Sequence, residues 1–193
     1  MTEKDFQVLK QRMLAELEGL DPHLTYHSKA HTIDVIEQCI NIGKREGIEG
    51  HDMMLLKMAA LFHDTGFLRT YLNHEAMGCN IFTEKTAAFH FSANDNKVVK
   101  ELIMATRLPQ APVNHLQSII CDADLDYLGR DDFFTIGDNL RTEFLHFKIV
   151  PDSEAWEKMQ LNFLKTHHYH TRSSQQLREP VKQQHYAELV GEM

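Results

Sequence analysis

Between residues 4 and 18 the apolar side chains Phe6, Leu9, Met13, Leu14 and Leu17 recur at spacings of three and four, which predicts an amphipathic helix. A second helix is predicted over 29–46, where Ile33, Ile36, Cys39, Ile40 and Ile42 supply the apolar positions and Ser28 stands where an N-cap belongs. The next segment is different in kind. Apart from Lys57, every position from 53 to 62 is apolar and rich in Met, Leu and Ala, too long a run for a buried strand, so it predicts a helix buried on all sides with Gly66 as a stop. Phe67 to Asn73 is then a connecting segment, and a helix runs from His74 toward Thr86. Another, capped by Asn94 or Asp95, carries Val98, Val99, Leu102 and Ile103 and ends at Thr106–Pro109, because a proline disfavours helical geometry in the residue before it. Further helices are predicted from Val113 to Cys121, from Phe133 to Phe147, from the turn at Pro151–Glu154 to His167, and from Ser173 to Leu189. No alternating strand pattern, internal repeat or Gly-rich phosphate loop interrupts this series. The expected fold is all-α, a single compact domain over residues 1–193.

Composition narrows the classes. With 42% hydrophobic and 25% charged residues the chain has the make-up of an ordinary globular domain. No apolar run approaches membrane-spanning length, and Met1–Asp5 is too polar and acidic for a secretory signal, so a cytoplasmic location without membrane association is expected. Cys39, Cys79 and Cys121 are odd in number, widely spaced and set among apolar neighbours, which points to buried free thiols rather than a disulfide frame or a thiolate metal site. A formal net charge of -8 disfavours binding to a nucleic-acid duplex, which depends on phosphate neutralisation by Lys and Arg. An anionic substrate would need local positive charge, for which a bound metal is the obvious source.

The buried helix ends in His63-Asp64, an imidazole beside a carboxylate delivered into the core, where an unpaired charge is expensive and a metal ion is a common way to satisfy both. Alone, the pair has an equally good reading as a histidine bonded to its neighbour. Upstream, however, lies Tyr26-His27-Ser28-Lys29-Ala30-His31, and downstream Cys121-Asp122-Ala123-Asp124-Leu125. Together His31, His63, Asp64 and one aspartate near 124 make two imidazoles and two carboxylates, a set suited to one or two ions of Zn, Fe, Mn or Mg. Asp122 and Asp124 are two apart, so on a helix both cannot face one cavity. His27 and His31 need not share a face, although both can reach one cavity. His51-Asp52 spells the same dipeptide at a helix start, where Asp52 opposes the dipole, and is set aside as a decoy. His167, His168 and His170 lack a carboxylate or Cys at ligand spacing and are also set aside. His74 is a candidate contact for a phosphate or a second metal. Arg107 is a candidate phosphate clamp whose alternative is a surface salt bridge.

The order early His, His-Asp at a helix end, late Asp resembles the HD superfamily of metal-dependent phosphohydrolases, over about residues 26–128, with the helices of 133–190 beyond that core. Tyr26-His27, His31-Thr32, Asp34-Val35, Ala105-Thr106 and Ala123-Asp124-Leu125 also look like short strings of the cyclic-nucleotide phosphodiesterase catalytic domains of that superfamily. The resemblance implies His27 as proton donor, His31, His63, Asp64 and Asp124 as metal ligands, and Asp64 as the bridge between two ions. Gln160 and Phe163 resemble the Gln and Phe that hold a purine ring there, and their alternative is one helix face packed on the core. The chain departs from those domains in being far shorter, so substrate identity does not carry over. The implied activity is hydrolysis, by metal-activated water, of a phosphate ester or phosphodiester of a nucleotide or similar small phosphorylated molecule. The alternatives are a di-iron oxygenase of the same superfamily and a non-catalytic nucleotide-binding regulatory module. Oligomeric state is not legible.

Overall fold

A computed structural model describes residues 2–89 and 91–191. Among them every regular element is helical: α1 (Glu3–Glu16), α2 (Lys29–Arg45), α3 (Gly50–Phe62), α4 (His74–Thr86), α5 (Ala93–Ala105), α6 (His115–Asp124), α7 (Phe133–His146), α8 (Ser153–Thr166), α9 (Arg172–Leu177) and α10 (Glu179–Gly191). None is long and apolar enough to cross a membrane.

The all-apolar run is the axis of the molecule. α3 is buried from Leu55 to Phe62 and packs against α1, α2, α4, α5 and α6, which is why it has no polar face. Lys57, the exception in the run, keeps its stem in the core and brings Nζ out beneath α1, 4.3 Å from the Phe6 ring centroid and 2.6 Å from Glu3 Oε2. A second, smaller core unites Tyr26, Leu125, Leu128, Phe133, Leu164 and Tyr169, tying α7, α8 and the C-terminal helices to the turn after α6. Cys39, Cys79 and Cys121 are buried and free.

Three sequence expectations need correction. The final helix expected over Ser173–Leu189 is two helices, α9 and α10, broken at Arg178, whose Nε donates to the buried Asp126 at 2.8 Å. At that break a Cβ on Gly129 would come within 2.3 Å of the Arg178 carbonyl oxygen, so the chain turns in direct backbone contact with another segment. The cap of α5 is Ser92, whose Oγ accepts from Asp95 N at 3.0 Å, rather than Asn94 or Asp95. α6 begins after an Asn114 cap and continues to Asp124, so both late aspartates are helical.

Candidate metal centre

Three helix ends converge on one point. Ser28 caps α2 by accepting from His31 N at 3.4 Å, which fixes His31 in the first turn. His63 is the C-cap residue of α3, and Asp64 follows where the chain leaves helical geometry for a 3₁₀ turn over Thr65–Leu68. Asp124 is the last residue of α6. The 3₁₀ turn is tight because Gly66 lies against α4: a Cβ there would stand 1.9 Å from the His74 carbonyl oxygen.

The donor atoms then meet. His63 Nε2 and His31 Nε2 are 3.3 Å apart. His31 Nε2 lies 3.2 Å from Asp124 Oδ1, and His63 Nε2 lies 3.1 Å from Asp64 Oδ2. One donor atom from each of His31, His63 and Asp124 falls within 4.8 Å of the others, and among the described residues they form a group of the kind that can hold a metal ion. Asp64 stands beside this trio, its Oδ2 also 3.4 Å from His31 Nε2. The ring of His63 is held by its other nitrogen, 2.9 Å from the Ala60 carbonyl. A carbonyl only accepts, so Nδ1 carries a proton and Nε2 faces the cluster, where loss of its own proton leaves a lone pair for a metal, the orientation that a metal-ligating histidine takes. Asp64 Oδ2 is accordingly buried without a hydrogen-bond partner. An orphaned carboxylate oxygen among imidazole nitrogens is the arrangement that a cation satisfies. The electrostatics agree. Burial opposes charge on His63, yet Asp64 and Asp124 outweigh it and hold its pKa well above the ordinary value, so that without an ion Nε2 keeps a proton in the place a cation would take. Burial likewise pushes Asp124 up, but hydrogen bonds from His31 and His63 bring it down to about 2. The spot favours positive charge.

Beside the cluster opens a cavity of about 470 Å³. Its wall brings together His27, Asp64, His74, Arg107, Asp124, Gln160 and Phe163, residues drawn from more than half the chain. The rings of His27 and His74 both stack on Phe67, with centroids at 4.4 and 4.1 Å. His74 Nε2 is 3.4 Å from Asp64 Oδ1 and 3.5 Å from Glu75 Oε1. Arg107 is exposed at the rim and makes no ion pair among the described residues. Gln160 lines the cavity but also packs on α7, where a Cβ at Gly137 would be 3.0 Å from its Nε2.

Sequence reasoning missed two residues. Glu143 on α7 is wholly buried and accepts from the backbone of Tyr26 and His27 at 2.9 and 3.0 Å, from His27 Nδ1, and from the Tyr71 hydroxyl at 3.2 Å. Burial raises its pKa, and the hydrogen bond and charge of His27 together with the two backbone hydrogen bonds more than offset this, leaving a carboxylate. The available signal was an acidic residue beside Phe144 in a helix facing the core. Gln110 was the other, its Nε2 3.4 Å from Asp124 Oδ2.

The residues set aside are elsewhere. Asp122 points away from the cluster and accepts from His170 N, Thr171 N and Thr171 Oγ1 at 2.7–2.8 Å, as the two-residue spacing requires. His51 is on the surface, 2.9 Å from Asp95 Oδ1. His167 packs beside the buried Lys182, with its Nδ1 3.3 Å from Nζ. No family model matches the chain, and no curated protein or solved structure matches it either.

Proposed function

We propose that the chain is a metal-dependent phosphohydrolase acting on a phosphate ester or phosphodiester of a small molecule. The observation that carries this reading is the unpartnered Asp64 Oδ2, set among two imidazole nitrogens and a second carboxylate at one end of an open cavity. The His₂Asp₂ donors fit Zn, Fe, Mn or Mg. An ion held by His31, His63, Asp64 and Asp124 would supply a Lewis acid for a phosphoryl oxygen and would lower the pKa of bound water toward neutral pH. The resemblance to the HD superfamily, in the order His31, His63-Asp64, Asp124, supports the same reading.

The chain's own residues do the remaining work. His27 is tied through Nδ1 to Glu143, which leaves Nε2 as the nitrogen that gives a proton to the leaving-group oxygen. Glu143 also accepts from the backbone N–H groups of Tyr26 and His27, which holds the segment that carries the ring. Arg107, free of ion pairs at the rim, offers a planar fork to phosphoryl oxygens. His74 faces the outer oxygen of Asp64 and lies where a substrate oxygen would pass. Phe67 holds both imidazoles by stacking and keeps water from their faces.

The test is elemental analysis of the purified protein together with a panel of phosphomonoesters and phosphodiesters assayed with added Mn, Mg, Zn or Fe. Metal-dependent release of phosphate or alcohol is expected, lost in His63→Ala with the helical content retained. Failure of every ester with every metal would sink the reading.

A further inference from the structure

The cavity has two chemically distinct ends. One carries His27, His74, Asp64 and Asp124. The other is built by α7 and α8 from Leu140, Phe144, Trp156, Met159, Phe163 and Leu164. Two of the polar side chains that line the cavity are already committed. The Tyr71 hydroxyl donates to Glu143 and the Thr106 hydroxyl to the Ile103 carbonyl, and the Gln160 amide is, among the described residues, the one polar side chain that α7 and α8 bring to the wall. A nucleobase and a ribose would bring several donors and acceptors into that apolar end and leave most of them unpartnered, which is unfavourable. Hydrocarbon suffers no such penalty.

The mouth and the charge agree. Leu72 and Leu108, both on the cavity wall, are 73% and 56% exposed, an apolar rim where a polar substrate gives no reason for one. Arg107 is the one lysine or arginine on the wall, among the described residues, so the protein supplies a fixed cation for one phosphoryl group and none for a di- or triphosphate. Resting on the reading of this cavity as a phosphoester site, we infer that its substrate is an amphiphile: one phosphoryl group esterified to an aliphatic body that fills the α7–α8 end.

Trp156, the single tryptophan of the chain, lines that end and reports its filling. The experiment titrates the protein, with Mg²⁺ or Zn²⁺ present, with the non-hydrolysable butyl-, hexyl- and octylphosphonates while the tryptophan emission is followed. Each added methylene should tighten binding about fourfold, the equivalent of about 0.8 kcal/mol, until the cavity is full. Met159→Asn should lower the octyl-to-butyl ratio. A flat series, or adenosine monophosphate binding more tightly than octylphosphonate, would overturn the inference. The outcome is separable from that of the hydrolase reading. Ester hydrolysis with a flat binding series removes only the aliphatic substrate, whereas a steep series without hydrolysis of any ester supports the aliphatic ligand and removes the hydrolase.

Discussion

Asp64 and Asp122 show how much direction matters when residue type is the same. Both are buried aspartates near candidate ligands, but Asp122 has its oxygens filled by three donors from the segment at 170–171, and Asp64 has an oxygen with none. Asp122→Ala should therefore destabilise the fold, by about 1–3 kcal/mol for buried donors left unsatisfied, and retain bound metal. Asp124→Ala should release metal, and elemental analysis beside thermal denaturation of the two variants gives the ranking directly. Likewise His63→Ala or Asp64→Ala should lose metal while His51→Ala and Asp52→Ala keep it, because His51 lies on the surface against Asp95. Metal loss from the latter pair would overturn the assignment. For His27 the prediction concerns the leaving group. His27→Ala should slow cleavage of an alkyl ester by about 10²–10⁴-fold and a nitrophenyl ester far less, since nitrophenolate leaves without a proton. Glu143→Gln should show the same selectivity in weaker form with metal unchanged, and equal losses on both esters would remove the proton-donor role.

At the scale of elements, the site depends on where helices stop. α3 was legible because ten near-continuous apolar positions have few other solutions, and its end at His63 placed the His-Asp pair. The approach of the following turn to α4 was not legible. Gly66 reads in sequence as a stop signal, while its packing role is a backbone contact with His74 that no residue with a Cβ can make. Gly66→Ala should shift α4 away from the turn and destabilise the protein by about 1–3 kcal/mol or more. Because His74 begins α4 and faces Asp64, calorimetry and metal affinity should change together. The break between α9 and α10 was likewise missed. Its local signal was nevertheless there, since Pro180 as the second residue of α10 lacks an N–H and disfavours helical geometry just before it, while the Arg178 contact with Asp126, some fifty residues away in sequence, could not be read.

For the whole molecule, a metal bound at the candidate site would be linked to the fold, since the four candidate ligands come from α2, the end of α3 and α6. A ligand that binds only the folded state stabilises it by about 2.7 kcal/mol at a hundredfold excess over Kd. Chelation should thus lower the melting temperature by several degrees, at about 2–4 °C per kcal/mol for a chain of this size, and the shift should vanish in His63→Ala. Acid should act through a different group. Burial and the neighbouring Lys182 hold His167 down to about 3. The unfolded chain takes up that proton near pH 6.5 and the folded one does not. The contribution of His167 is therefore complete above about pH 6.5 and is lost progressively as pH falls toward 3. His167→Gln should flatten the decline in melting temperature across that window, and a decline as steep as that of the wild type would exclude His167 as a source.

Periodicity and local residue types determined the helical class, the buried position of α3, the cap at Ser28 and the turn before α8, because these follow from spacing and local hydrogen bonding within a few residues. It also placed His31, His63, Asp64 and Asp124 at or near helix ends, and it excluded a shared direction for Asp122 and Asp124, since a helix turns 100° per residue. What the sequence left undecided was which of those two faces the imidazoles, what holds His27, and what the cavity's far wall is made of. Each depends on contacts between segments distant in the chain: Asp122 on Thr171, His27 on Glu143, and the apolar wall on how α7 and α8 pack with the turn after α6 and with Tyr26. A local pattern says which side of a helix is apolar, and only the packed tertiary structure decides which other side it meets.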